Sequence, residues 1–144
     1  MQNGVYPMTL SLTSLAFDEV GSGEKSAFTF AALFAVKDGK CALSYQSGEG
    51  EATALTELTF DETEPQTVRM RRRGDTVTEV TYAPGHTDRA LYRIPNVGEL
   101  DMETKTARVE NSLSPTGGRL LLDYEMLIGG VRQRMRLTLE AKPK

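Results

Sequence analysis

Apolar and polar side chains alternate with a period of two along most of the chain. Met8, Leu10 and Leu12 are separated by Thr9, Ser11 and Thr13, a pattern that predicts a strand with one face on a core. Leu15 and Phe17 fall on the other phase, which predicts a bulge near Thr13 and Ser14. Phe28, Phe30, Ala32, Phe34 and Val36 form the longest apolar ladder. It ends at Asp38-Gly39, a dipeptide suited to the positive φ angles of a tight hairpin. Cys41, Leu43 and Tyr45 belong to the return strand, "SGEGEA" (47–52) reads as a turn, and 54–60 as a further strand ended by "DETEPQ".

The second half keeps the same habit. Val68 and Met70, then Val80 and Tyr82, mark two strands about Gly74-Asp75, and 89–94 forms a short one. Leu100, Met102 and Thr104 alternate with Asp101, Glu103 and Lys105, as in a sheet with one wet face. Leu120, Leu122, Tyr124, Met126 and Ile128 run up to Gly129-Gly130, and Val131, Met135, Leu137 and Leu139 return with Arg132, Arg134 and Arg136 opposite. The pattern predicts an all-β fold of about 8–10 strands in one domain spanning residues 1–144. Consecutive hairpins favour an antiparallel up-and-down β-barrel over a sandwich.

Composition narrows the setting. A chain of 144 residues, 39% hydrophobic and 26% charged, can bury a core without disulfides. Cys41 is the only cysteine, which points to a reducing, cytoplasmic home. No apolar run is long enough for a membrane helix, so a membrane is not an expected partner. The net charge of -3 is unevenly spread, residues 1–67 being acidic and 68–144 basic. We read this as acidic and basic strands neighbouring each other in one sheet.

The chemistry offered is sparse. "GSGEKSAFTF" (21–30) places Gly23, Lys25 and Ser26 as a phosphate loop might, but Glu24 breaks the spacing and the following run alternates as a strand where a phosphate loop needs a helix. His86 is the only histidine, so multi-histidine metal sites are excluded, and it is placed at a loop tip. Cys41 shares the apolar phase of Leu43 and Tyr45 and reads as a packed thiol. Glu99, Asp101 and Glu103, and Asp123 with Glu125, alternate toward water and read as solvated faces. Arg69, Arg71 and Arg73, with Arg132, Arg134 and Arg136, make two outward stripes that could merge into a basic patch if their strands were close. Neither stripe has interleaved aromatics, so nucleic acid is a disfavoured partner. No catalytic residue, cofactor or metal is assigned, and a non-enzyme is expected.

Arg72 differs from the other arginines. It follows Val68 and Met70 on the inward phase, where a buried guanidinium needs an acidic partner. Tyr45, Tyr82, Tyr92 and Tyr124 can each offer a hydroxyl to the same interior. If these residues line one cavity, they suit a small acidic or amphipathic ligand; otherwise Arg72 closes a barrel mouth and the tyrosines fill the core. The alternative function is an interaction module whose outer strands or arginine stripes meet a protein, an RNA or a second copy of the chain.

"YRIPNVGELDMETKT" and "GGRLLLDYEMLIGGVRQRMRLTLE" resemble the YwiB-like bacterial proteins of unknown function. The matching positions include Arg72-Arg73-Gly74, Pro84-Gly85, Tyr92, Pro95, Gly98, Thr106 and Tyr124. Ile94 stands where that family usually has threonine, and Asn96-Val97 where it has one aromatic residue. The resemblance implies a lipocalin-like, calycin-type β-barrel and brings no catalytic residues with it.

Overall fold

In the computed structural model, which describes residues 1–17, 23–47, 53–74, 77–94 and 96–144, the period-two pattern becomes ten strands. The side chains of Glu24, Tyr92, Arg93 and Ile94 lie outside that description, as do the loop residues of "SGEGEA" from 48 on, Asp75 and Pro95. The strands are β1 (Gly4–Phe17), β2 (Gly23–Lys37), β3 (Lys40–Ser47), β4 (Ala54–Asp61), β5 (Glu64–Arg73), β6 (Val77–Tyr82), β7 (Thr87–Ile94), β8 (Gly98–Asn111), β9 (Gly118–Ile128) and β10 (Val131–Pro143). Among the described residues there is no helix.

All ten belong to one antiparallel sheet in the order β6-β5-β4-β3-β2-β1-β10-β9-β8-β7. Every neighbour is consecutive in the chain except β1 and β10, which join the two ends of the polypeptide. The sheet therefore wraps into a nearly closed up-and-down barrel whose seam lies between β6 and β7. Side chains and loops bridge that seam. The Thr81 N–H donates to Asp88 Oδ2 at 2.6 Å, and Asn111 Nδ2 donates to the Pro65 carbonyl at 2.9 Å. The β6–β7 loop docks on β8, with Gly85 N–H bonding the Thr106 carbonyl at 3.0 Å and Thr106 N–H the His86 carbonyl at 3.0 Å.

Local chemistry accounts for the hairpins. Asp38 and Gly39 both have positive φ, 52° and 81°, the geometry whose twist matches that of paired strands. The bulge expected near Thr13 is absent. β1 keeps unbroken register with β2 from Gly4 to Phe17 and with β10 from Met8 to Phe17. Leu15 and Phe17 simply lie on the outer face, where the Arg134 guanidinium covers the Phe17 ring at 5.6 Å. A register shift occurs instead between Thr106 and Arg108 on β8. The extra residue there carries the inward phase from Thr106 to Val109, both of which are buried.

Stacked cross-strand rows form the core. Tyr6, Phe34, Leu43, Leu58, Met70 and Val80 pair successively across β1 to β6. Leu120, Leu122 and Leu139 on β9 and β10 are fully buried and complete the apolar floor. Such side chains supply about 1.5–3 kcal/mol each on burial.

Candidate functional site

Two residues toward the open end, the same six strands carry a different row. Met8, Ala32, Tyr45, Thr56, Arg72 and Thr78 are paired in sequence across β1 to β6. Pairing every second residue keeps both rows on the inner face, so a polar layer sits directly on the apolar floor. From the other side of the seam β8 contributes Thr104 and Thr106, and β9 contributes Tyr124 opposite Thr106.

These groups are linked. The rings of Tyr82 and Tyr124 stand 4.9 Å apart, tilted by 54°, close enough for each phenol to act on the ionisation of the other. Burial foremost, then the adjoining Tyr124 and the Asp88 carboxylate, pushes the Tyr82 phenol well above its ordinary range. Burial likewise raises Tyr124 and Tyr45, although the Thr56 hydroxyl and the Arg72 charge favour the ionised form of Tyr45. Three further hydroxyls, those of Thr78, Thr104 and Thr106, are buried with no hydrogen-bond partner among the described residues. Thr104 and Thr106 are each only 1% exposed.

The structure thus gathers Tyr45, Tyr82 and Tyr124, while the Tyr92 side chain lies outside the described residues. Arg72 keeps its inward register position but is exposed, which corrects the expectation of a buried guanidinium. It stands near the end of β5, close enough to Tyr45 to act on its phenol. There its long stem lets the charge reach water. Thr56, Thr78, Thr104, Thr106 and Asp88 were not singled out from the sequence as a site. The signal was available, since each threonine occupies a phase otherwise filled by apolar residues.

The ends of β1, β2, β9 and β10 give the opposite part of the mouth another character. Leu12, Phe30, Met126, Ile128, Met135 and Leu137 are half-buried apolar side chains packed against the core. Phe30 stacks on Tyr45 at 5.0 Å, and Phe28 on Phe30 at 6.0 Å. The mouth has a polar side bearing Arg72 and an apolar, partly aromatic side.

Other candidates resolve differently. Lys25 and Ser26 lie inside β2, so no helix follows the Gly-rich stretch to hold phosphate. His86 is exposed and contributes its backbone carbonyl to the seam. Cys41 is 1% exposed, its Sγ 3.6 Å from Met1 Sδ, and burial, with Glu62 nearby, pushes its thiol up. The two arginine stripes cannot merge, because β5 and β10 are five strands apart whichever way the barrel is followed. Arg71 stands between Glu57 and Glu79 across its neighbouring strands. Arg132 pairs with Glu125 at 3.1 Å, and Arg134 and Arg136 both pair with Asp123, at 3.2 and 3.3 Å. Acidic and basic strands do alternate in one sheet.

Known proteins agree with this architecture. An uncharacterised β-barrel protein, YwiB of Bacillus subtilis (strain 168), is 26% identical over 129 residues, 90% of this chain and 87% of that protein. The crystal structure of ywiB protein from Bacillus subtilis superposes with a TM-score of 0.84 at 24% identity, covering 97% of this chain and 93% of that one. The YwiB-like resemblance seen in the sequence is therefore sound, and so is the all-β antiparallel barrel. Residues 10–139 match the family described as a domain of unknown function (DUF1934), and the chain belongs to that family.

Proposed function

We propose that the protein binds a small acidic or amphipathic molecule at the polar layer of its barrel, in the manner of a lipocalin-like carrier and without catalysing a reaction. One observation carries the reading: three buried hydroxyls facing the barrel interior, on Thr78, Thr104 and Thr106, have no hydrogen-bond partner among the described residues. A buried polar group left unsatisfied costs about 1–3 kcal/mol, and a site that accepts a ligand's polar atoms is a physical reason to keep such hydroxyls. Arg72 at the rim supplies the attraction for an anion, and the half-buried apolar side chains opposite supply the surface for the rest of the molecule. The unpaired, buried Cys41 supports a reducing, cytoplasmic setting.

Native mass spectrometry of protein purified without refolding, followed by thermal-shift screening of metabolites, tests the reading. The expected result is a carried or stabilising small molecule that is lost in Arg72→Ala. Binding unchanged by Arg72→Ala and by Thr104→Val would refute the placement of the site.

A second reading, an interaction module, is favoured by a different observation. The middle of the outer face of β1 to β3 bears no charge: Val5 pairs with Ala35, Pro7 with Leu33, and Ala35 with Ala42. Val5 is 63% and Leu33 48% exposed. Sedimentation analysis with Leu33→Lys decides it: a dimer in the parent chain that dissociates in the variant favours this reading, and a monomer in both removes a second copy as the partner.

A further inference from the structure

Resting on the ligand-binding reading, we propose that the ligand class is a compact aromatic monocarboxylate, with Phe28 as the platform that selects it. Three observations lead there. First, Phe28 is 54% exposed although it lies on the inward phase of β2, opposite Leu12. Its ring begins a stack that continues through Phe30 to Tyr45, with ring planes inclined by only 23° and 27°. An open aromatic face at the end of such a stack favours another flat ring over a flexible chain.

Second, Arg72 is the only cation in the row Tyr45, Thr56, Arg72, Thr78. A single planar guanidinium matches one carboxylate through two parallel hydrogen bonds. A phosphate ester with two negative charges would find one cation in that row and leave its second charge unmatched. Third, the floor beneath is filled. Phe34, Leu43 and Leu58 of the floor row are each at most 1% exposed, so these side chains block a long acyl chain from passing down the barrel axis there.

The test uses the full chain, isothermal titration at fixed ionic strength, and four probes: 2-naphthoate, hexanoate, palmitate and inorganic phosphate. Both Phe28 and Arg72 are exposed, so Phe28→Ala and Arg72→Gln should fold, and circular dichroism checks that they do. The expected result is that 2-naphthoate binds most tightly. Phe28→Ala should then weaken it about twofold to tenfold and leave hexanoate unaffected. Arg72→Gln should weaken both carboxylates by about tenfold or more.

If hexanoate or palmitate matches 2-naphthoate and Phe28→Ala changes nothing, the aromatic class is overturned while an Arg72-dependent acid site stands. Phosphate binding as tightly as 2-naphthoate overturns the monocarboxylate class. If no probe binds, the inference fails; a native mass adduct lost in Arg72→Ala would then still uphold the broader ligand-binding reading, and its absence would remove both.

Discussion

Thr104 and Thr106 offer a perturbation whose sign separates a binding site from a structural network. Valine has almost the shape of threonine and an equal or better preference for strands, so Thr104→Val and Thr106→Val replace a hydroxyl by a methyl with little steric change. Each hydroxyl is buried and has no hydrogen-bond partner among the described residues. Removing one recovers a desolvation cost of about 1–3 kcal/mol, and for a domain of this size about 1 kcal/mol moves Tm by roughly 4 °C. Each single variant should therefore melt about 4 °C above the parent chain when free of ligand, and the double variant should melt above either single one. Differential scanning calorimetry on ligand-free protein measures this. The same variants should bind less of whatever the parent chain carries, so stability and binding move in opposite directions. A fall in Tm of several degrees in Thr106→Val would show that the hydroxyl is satisfied in the folded state, and the case for a ligand would lose its main support.

Three more tests probe the scaffold. Burial pushes the Asp123 carboxyl up, but hydrogen bonds from Arg134 and Arg136 outweigh it and hold the group below its ordinary value; because the unfolded chain binds that proton more readily, the stabilisation is present above about pH 4 and fades as pH falls further. Asp123→Asn should thus cost about 1–2 kcal/mol near neutrality in chemical denaturation, and a difference that persists undiminished at pH 2 would contradict the assignment. Gly118→Ala should unfold the chain or cost more than about 3 kcal/mol, since φ is 139° and an added Cβ would meet the Ser112 carbonyl at 2.1 Å; near-parental melting would disprove that crowding. Cys41 should react with a thiol reagent only after denaturation, because it is 1% exposed and its pKa is raised; rapid labelling of native protein would overturn this.

The sequence made the barrel readable because alternation reports a one-sided sheet directly. The Asp38-Gly39 turn, the Gly129-Gly130 turn and the pairing of acidic with basic strands all follow from residues next to each other in the chain or in the ladder. Two features escaped it. The phase change at Leu15 and Phe17 looked like a bulge, yet the strand runs straight, because an outward Phe17 is tolerated under a guanidinium. Irregularities lie instead at Ala107, where "TKTARVEN" offers no glycine or proline to mark one, and between Thr59 and Asp61 on β4. The site was half visible. Tyrosines announce themselves on an apolar phase, whereas a threonine among valines reads as a good strand former, and only the closed sheet shows that Thr78, Thr104 and Thr106 face one interior. Arg72 was placed on the correct phase, but strand period does not tell how far along the axis the barrel remains covered.

The position of the seam and the position of the polar layer have a common cause. A barrel that closes between its chain termini leaves its open edge elsewhere, here between β6 and β7, where backbone groups lack ladder partners. Asp88 meets one of these by accepting the Thr81 N–H, and the same carboxylate raises the Tyr82 phenol beside it. Polar side chains cluster where the ladder stops because that is where unpaired N–H and C=O groups must otherwise be buried at a cost. Once polar groups are required there, the adjoining strands can carry hydroxyls that the fold itself does not use. The hydroxyls of Thr78 on β6 and of Thr104 and Thr106 on β8 flank that edge and stand apart from the leucine-filled floor, which had no backbone partners to find. A binding function built into this barrel would therefore be expected beside its seam, where solvating an open sheet edge and recognising a ligand call for the same kinds of residue.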